Sequence, residues 1–429
     1  MQRFRRFPSA AVLALSAAGL ASAQSTSLVS VGAGGVQGDG PSLSPALSAG
    51  GRYVAFESSA ENLVPGDTNH AQDVFVRDRV LGVTTRVSVS SSGAQANWNS
   101  YSPSISADGR FVAFTTLAAN LVPGDDNGVI DVFVHDRLSG TTERVSVDSA
   151  GALGDGDGRY PTLSADGRYV CFESLSTNLV AGDTNDVEDI FVRDRLLGLT
   201  TRVSVGPGGV QGNGRSLRAG ICADGRRVVF VSAATNLVAG DTNGAGQDCF
   251  VRDLELGLTL CASLTPGGMT GNGVCDYPAI SGNGRVVGFE SAASDLVAGD
   301  TNGVADSFAR DLDAGRTTRV SVGPGGVQGD SLSLRAVPSF DGRFVAFKSQ
   351  AANLVPGDTN GVQDVFLHDV RRGTTVRVTL GPGSAQSLGW SSQPALSADG
   401  RQVAFYSFAE DLVVGDGNAV PDAFVRTLW

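Results

Sequence analysis

The residues best suited to chemistry in this chain are aspartates and asparagines that recur in one fixed order. The stretch NLVPGDTNGVQDVFLHD, residues 353–369, carries Asp358, Asn360 and Asp364, and close copies of it run the length of the sequence. The other sets are Asp67, Asn69 and Asp73; Asp125, Asn127 and Asp131; Asp183, Asn185 and Asp189; Asp241, Asn243 and Asp248; Asp300, Asn302 and Asp306; and Asp416, Asn418 and Asp422. Asp-x-Asn followed by a further Asp supplies three oxygen-bearing side chains, and with backbone carbonyls it approaches the 6 to 8 oxygens that calcium takes. The spacing departs from an EF-hand loop, because in most copies Gly follows the Asn directly and no carboxylate intervenes. The same residues also make turns: Asp and Asn fold back on their own backbone, Asn-Gly turns tightly, and the last Asp anchors the next strand. Two readings therefore stand, repeated turn chemistry and, in at least some loops, calcium sites.

Little else in the chain reads as catalytic. There is no Gly-x-Ser-x-Gly elbow and no His-Glu-x-x-His. Of the three histidines, His135 and His368 occupy the position of Arg77 and Arg193 in the VRD segment, and His70 takes a loop glycine position. They are read as surface variants, since none has a partner cluster. Carboxylates brought together across a central channel would allow glycosidase chemistry. The residues that break the repeat, Glu188, Trp98, Trp390 and Tyr406, form no constellation in sequence. No catalytic residue is assigned.

The elements that must position the loops follow from a repeat. Gly-Arg pairs place Arg52, Arg110, Arg168, Arg226, Arg285, Arg343 and Arg401 at spacings of 58 residues, with a single 59 where GDTNGAGQD carries one residue more than GDTNGVQD. A period of this size signals a solenoid, propeller or array. Within one unit, PTLSADG leads into the alternating RYVCFES, then the Asp-rich loop, then DIFVRD, then LTTRVSV. The Asp-Gly fits a type I′ hairpin with both central residues at positive φ. Four antiparallel strands per repeat with no helical period make a propeller blade. The seventh copy ends without its TTRVSV strand, and the missing strand is STSLVSV at 25–31. The fold class is thus all-β, a seven-bladed propeller of four-stranded antiparallel blades, closed by the N-terminal strand completing the last blade.

Residues 1–23 read as a secretory signal peptide, with Arg3, Arg5 and Arg6 before the apolar run AVLALSAAGL and small residues at Ala21 to Ala23. The propeller then covers 24–429, and the expected location is periplasmic or extracellular with no transmembrane segment. The formal charge of −12 excludes the cationic surface that nucleic-acid binding needs. Of the five cysteines, Cys249 and Cys261 lie on opposite arms of a hairpin and are candidate cross-strand partners; the alternative is that free Cys acts as a small buried hydrophobe. The Val-x-Phe face of the second strand, as in Val54 and Phe56, is expected to fill the space between blades, with a small residue between the two to let sheets approach.

The motif SADGR[YF]VAF, followed by xDxFVRD and a TTRVSV strand, resembles the WD-like propeller repeats of the TolB family of bacterial periplasmic proteins. That resemblance implies a propeller and an exported protein, here without the TolB N-terminal domain and with longer repeats. The function expected is a non-catalytic interaction scaffold in the envelope or outside the cell, stabilised by calcium if the loops bind it. It would act as a monomer and bind a protein, small-molecule or saccharide ligand on an acidic loop face. The alternative is a hydrolase or lyase acting on an extracellular saccharide.

Overall fold

A computed structural model describes residues 24–429 except 242 and 245, so the leader read over 1–23 lies outside the described residues. The described chain forms 28 strands in seven four-stranded antiparallel sheets. Strand β1 (Ser25–Leu28) comes first, and the first blade follows with β2 (Ser42–Leu47), β3 (Tyr53–Ser58), β4 (Asp73–Asp78) and β5 (Val83–Arg86). The pattern repeats through β6 to β25, and the last sheet has the order β1-β28-β27-β26, with β26 at Ser391–Leu396, β27 at Gln402–Ser407 and β28 at Asp422–Thr427. The ring is closed as the ends of the sequence predict.

Burial explains the composition of each strand. The second and third strands, such as YVAFES and DVFVRD, are covered on both faces and read as near-continuous apolar runs, while the fourth strand alternates with solvent. The core lies between blades. Phe56 and Phe75 stack at 5.9 Å and pack against Ala404, Ala423 and Val425 of the last blade. Every blade has such a Phe pair. At Gly288 the neighbouring blade comes so near that an added Cβ would sit 2.3 Å from the Ala336 carbonyl oxygen.

The Asp-Gly hairpins depart from the expected type I′ turn. Gly109, φ +76°, donates its N–H to Ser106 O at 2.9 Å, and Asp108 is absent from the residues with positive φ. Only the glycine is left-handed, as in a turn closed by a glycine bulge. A side chain there would strike the Tyr53 ring at 2.1 Å. The arginine that follows reaches the end of the third strand: Arg110 donates from Nε and Nη2 to Asp136 at 2.8 and 2.7 Å. Such forked pairs are strong and directional. They explain why DGR and FVRD repeat together.

The cysteines correct one expectation. The disulfide joins Cys249 to Cys275, not Cys261. Cys261 pairs in register with Phe250, so Cys249 and Cys261 point to opposite faces. Cys249 on β16 (Asp248–Asp253) instead meets Cys275 on β18 (Cys275–Ile280), linking the fourth blade to the fifth. Replacing both with Ala is expected to cost about 2–4 kcal/mol. A reversible denaturation midpoint unchanged between wild type and C249A/C275A would show that the link contributes nothing.

Candidate functional site

Each Asp-rich loop sits against the Gly-rich segment leading into the next blade, so both open on one face: Asn69 Nδ2 donates to Ala96 O at 3.0 Å and Gln95 Nε2 to Gly66 O at 2.7 Å. The turn chemistry is present, with Ala71 N–H donating to Asn69 Oδ1 at 3.2 Å and Asn69 Nδ2 to Asp73 Oδ2 at 2.9 Å. Between the two aspartates lies an arginine from the fourth strand. Arg86 Nη1 stands 2.8 Å from Asp67 Oδ1 and 3.0 Å from Asp73 Oδ2. Arg144 joins Asp125 and Asp131 in the same way, Arg202 joins Asp183 and Asp189, Arg319 joins Asp300 and Asp306, and Arg377 joins Asp358 and Asp364. In five blades a guanidinium therefore occupies the space between the carboxylates.

In the last blade the corresponding residue is Leu28, and Gln37 Nε2 donates to Asp416 Oδ1 and Asp422 Oδ2, both at 2.7 Å. Asn418 Nδ2 adds a third bond, to Asp422 Oδ2 at 2.9 Å. The fourth blade, with Asp241, Asn243 and Asp248, has Cys261 at the arginine position. These side chains do not form the acidic surface expected of the loop face. Asp67 and Asp73 expose 3% and 0% of their side chains and face inward to the arginine. Burial pushes the Asp364 carboxyl up to about 6. Among the described residues, no group of three or more His, Cys, Asp or Glu side chains is arranged to hold a metal.

His135 and His368 are also placed differently from expectation. They are buried, and each ring Nδ1 meets a threonine hydroxyl, Thr142 at 2.9 Å and Thr375 at 3.0 Å. Arg77 reaches Thr84 from the same position. Burial holds the His368 imidazole down to about 4, so it stays neutral. His70 is exposed beside Glu61 at 2.7 Å.

The asymmetry lies in the central channel. The third residue of each innermost strand is left-handed: Ser44, Ser102, Tyr160, Arg218, Tyr277, Arg335 and Gln393, with φ between 47° and 58°. A register shift follows it in every blade. Such bulges re-aim side chains next to sites. These seven residues line one cavity of about 290 Å³, with Pro45, Pro103, Pro161, Pro278 and Pro394. The backbone feature is the same in all seven blades, whereas the side chain is Ser, Tyr, Arg or Gln.

On one side of this cavity the guanidiniums of Arg218 and Arg335 stack on Tyr277, at 3.7 and 4.0 Å from the ring centroid. Arg218 Nε also meets Asp276 Oδ1 at 3.0 Å. Glutamates of neighbouring blades, Glu57 and Glu173 buried and Glu290 half-buried, hold three of the bulges. Glu173 accepts the Arg218 N–H and Glu290 the Arg335 N–H, each at 2.7 Å, and Glu57 accepts that of Ser102 at 2.7 Å. Burial raises the pKa of all three glutamates and lowers that of Lys348. Tyr406 lies opposite Ser392, the neighbour of Gln393, and forms an aromatic cluster with Trp390 and Phe408; Trp390 and Phe408 stack at 4.5 Å. Trp98 stays exposed, and Glu188 pairs with Arg215 at 3.3 Å. The channel residues were overlooked in sequence because they sit inside strands. The available signal was one position of a repeating strand that takes four residue types, Ser, Tyr, Arg and Gln, in seven copies.

Fold and channel together define a seven-bladed β-propeller with an axial cavity. No family model and no curated protein matches the sequence. Among solved structures, the chain is similar to an oligogalacturonate lyase in complex with manganese, with a TM-score of 0.55 at 11% identity over 95% of this chain and 96% of that one. The propeller domain of the Trilobed protease from Pyrococcus furiosus matches with a TM-score of 0.54 at 11% identity over 90% and 93%. That domain is described as having an open velcro topology, whereas β1 closes the ring here. A putative TolB from Agrobacterium tumefaciens is also similar, at 16% identity over 81% and 94%, with a TM-score of 0.43. At these identities the likeness establishes the fold alone. Among the described residues, no helix is long and apolar enough to cross a membrane.

Proposed function

We propose that this is an exported, non-catalytic binding propeller that takes an anionic ligand of saccharide size at the channel mouth. The carrying observation is the ring of seven bulged positions, regular in backbone and irregular in side chain, with Arg218, Tyr277 and Arg335 stacked together. Two guanidiniums held against one ring present planar donor forks that suit carboxylate or phosphate. Their order before binding lowers the entropy cost of recognition. The proline walls offer apolar area beside the charges. Export rests on the leader-like sequence at 1–23.

Calorimetric titration with an oligogalacturonate, a carboxylate-bearing saccharide of the class named for the lyase neighbour, tests this against a neutral malto-oligosaccharide. The acidic oligomer is expected to bind and the neutral one to bind far more weakly. Arg218→Ala and Arg335→Ala should each weaken binding by about 10- to 150-fold, the loss for hydrogen bonds to charged groups. Equal binding of both sugars, or variants with wild-type affinity, would refute the site. New chain ends appearing during the titration would replace the binding reading by the enzymatic one.

A further inference from the structure

The fourth blade lacks what the other six loops supply to their aspartates. Five loops place an arginine between the carboxylates, and the last blade places the Gln37 amide there. In the fourth blade the arginine position holds Cys261, the last residue of β17 (Leu258–Cys261), and the glutamine position holds Thr270. This loop also carries the one extra residue in the repeat, between Asn243 and Asp248. The consequence is an imbalance of donors. Among the described residues, Asp241 Oδ1, Asn243 Oδ1 and Asp248 Oδ2 are buried with no hydrogen-bond partner, and Asp248 is 0% exposed. The remaining polar groups are engaged elsewhere: Asp248 Oδ1 accepts from Ser263 at 2.6 Å, and Asn243 Nδ2 donates to Gly271 O at 3.0 Å. An unpartnered carboxylate oxygen away from water carries a large desolvation cost.

The geometry points to a single divalent cation of the calcium type, bound at the fourth blade by Asp241, Asn243 and Asp248 in place of the arginine found in its sister loops. Three unpartnered oxygens, two from carboxylates and one from an amide, are hard ligands of the kind calcium uses, and backbone carbonyls and water complete such a shell. Two negative charges match one divalent ion as they exceed one guanidinium. The cation site is independent of the channel, since Asp241 and Asn243 lie in the loop and Asp248 opens β16, none of them on a bulged strand. In five other blades the arginine excludes an ion from the same place, and in the last blade the Gln37 amide fills it.

The test is calcium binding to the purified full protein after chelation, by calorimetry and by thermal unfolding across a calcium series with magnesium and zinc in parallel. One calcium per chain is expected, with a saturable rise in Tm, since a ligand that binds only the native state stabilises as its concentration passes its Kd. Asp241→Asn should weaken calcium binding at least tenfold. Cys261→Arg should abolish the calcium response and leave the metal-free Tm no lower than that of wild type, because it restores the ion pair of the sister loops. Cys261→Ser, a near-isosteric change, should keep calcium binding and guards against misfolding of the arginine variant. No saturable binding, a stoichiometry of several ions per chain, a Cys261→Arg protein that still binds calcium, or zinc bound in preference to calcium would each overturn the assignment.

Discussion

Removal of residues 24–31 is expected to destabilise the protein by at least about 5 kcal/mol, far more than the trimming of a loose terminus. The segment supplies the outer strand of the last blade, with Ser25 to Leu28 in register with Thr427 to Phe424. Beyond the strand, Val29 N–H donates to Ala423 O at 2.8 Å, and the Ser30 hydroxyl meets buried Asp422 at 2.5 Å. Several ladder bonds at about 1 kcal/mol each are lost. The buried side chains of Val29 and Val31 add about 1.5–3 kcal/mol apiece. Truncation would also bare β28 as an open edge, which favours association between chains. Denaturant titration and light scattering of the truncated protein measure both effects. A midpoint equal to that of the full protein would mean that the ring does not depend on β1.

The second large effect belongs to the arginines inside the loops. Arg86→Ala is expected to cost about 3–5 kcal/mol, because it leaves two buried carboxylates without their counter-charge. The side chains of Arg86, Asp67 and Asp73 are 9%, 3% and 0% exposed, so water replaces little of what is lost. The network as a whole need not be stabilising, since desolvating three charges offsets most of their attraction. A triple variant, Asp67→Asn, Asp73→Asn and Arg86→Met, should therefore lie closer to wild type than Arg86→Ala alone. If the single variant cost under about 1 kcal/mol, the value of an exposed pair, the buried lock would be refuted. A triple variant less stable than the single one would deny that uncompensated charge is the cause.

These locks also show what can be read from the chain and what cannot. The propeller was legible because one 58-residue period carries all its signals: the turn glycine, the Val-x-Phe face and the strand displaced to the N-terminus. The ion pair of Arg86 with Asp67 was not, although both residues repeat. Arg86 reads as the polar end of a strand, and only the folded blade brings it back across 19 residues to the loop. The loops thus look like metal sites in sequence when the positive charge is already supplied by the chain. The fourth blade stands out only after the arginine has been recognised, because Cys261 by itself reads as a small buried hydrophobe. A one-residue difference in register decided the disulfide: Phe250, not Cys249, faces Cys261. In the channel, the bulge after Leu43 is invisible in SLSPAL, and without it the third residue cannot be placed toward the axis.

Channel and loops thus have separate roles, the loops holding the blades and the bulged strands presenting unlike side chains to the axis. The most direct test is a crystal structure of the protein bound to an oligogalacturonate. A uronate carboxylate is expected at the guanidiniums of Arg218 and Arg335, inside the cavity ringed by Ser44, Ser102, Tyr160, Tyr277 and Gln393. Sugar bound on the Asp-rich loops or along the outer strands, with the channel free of it, would contradict the account.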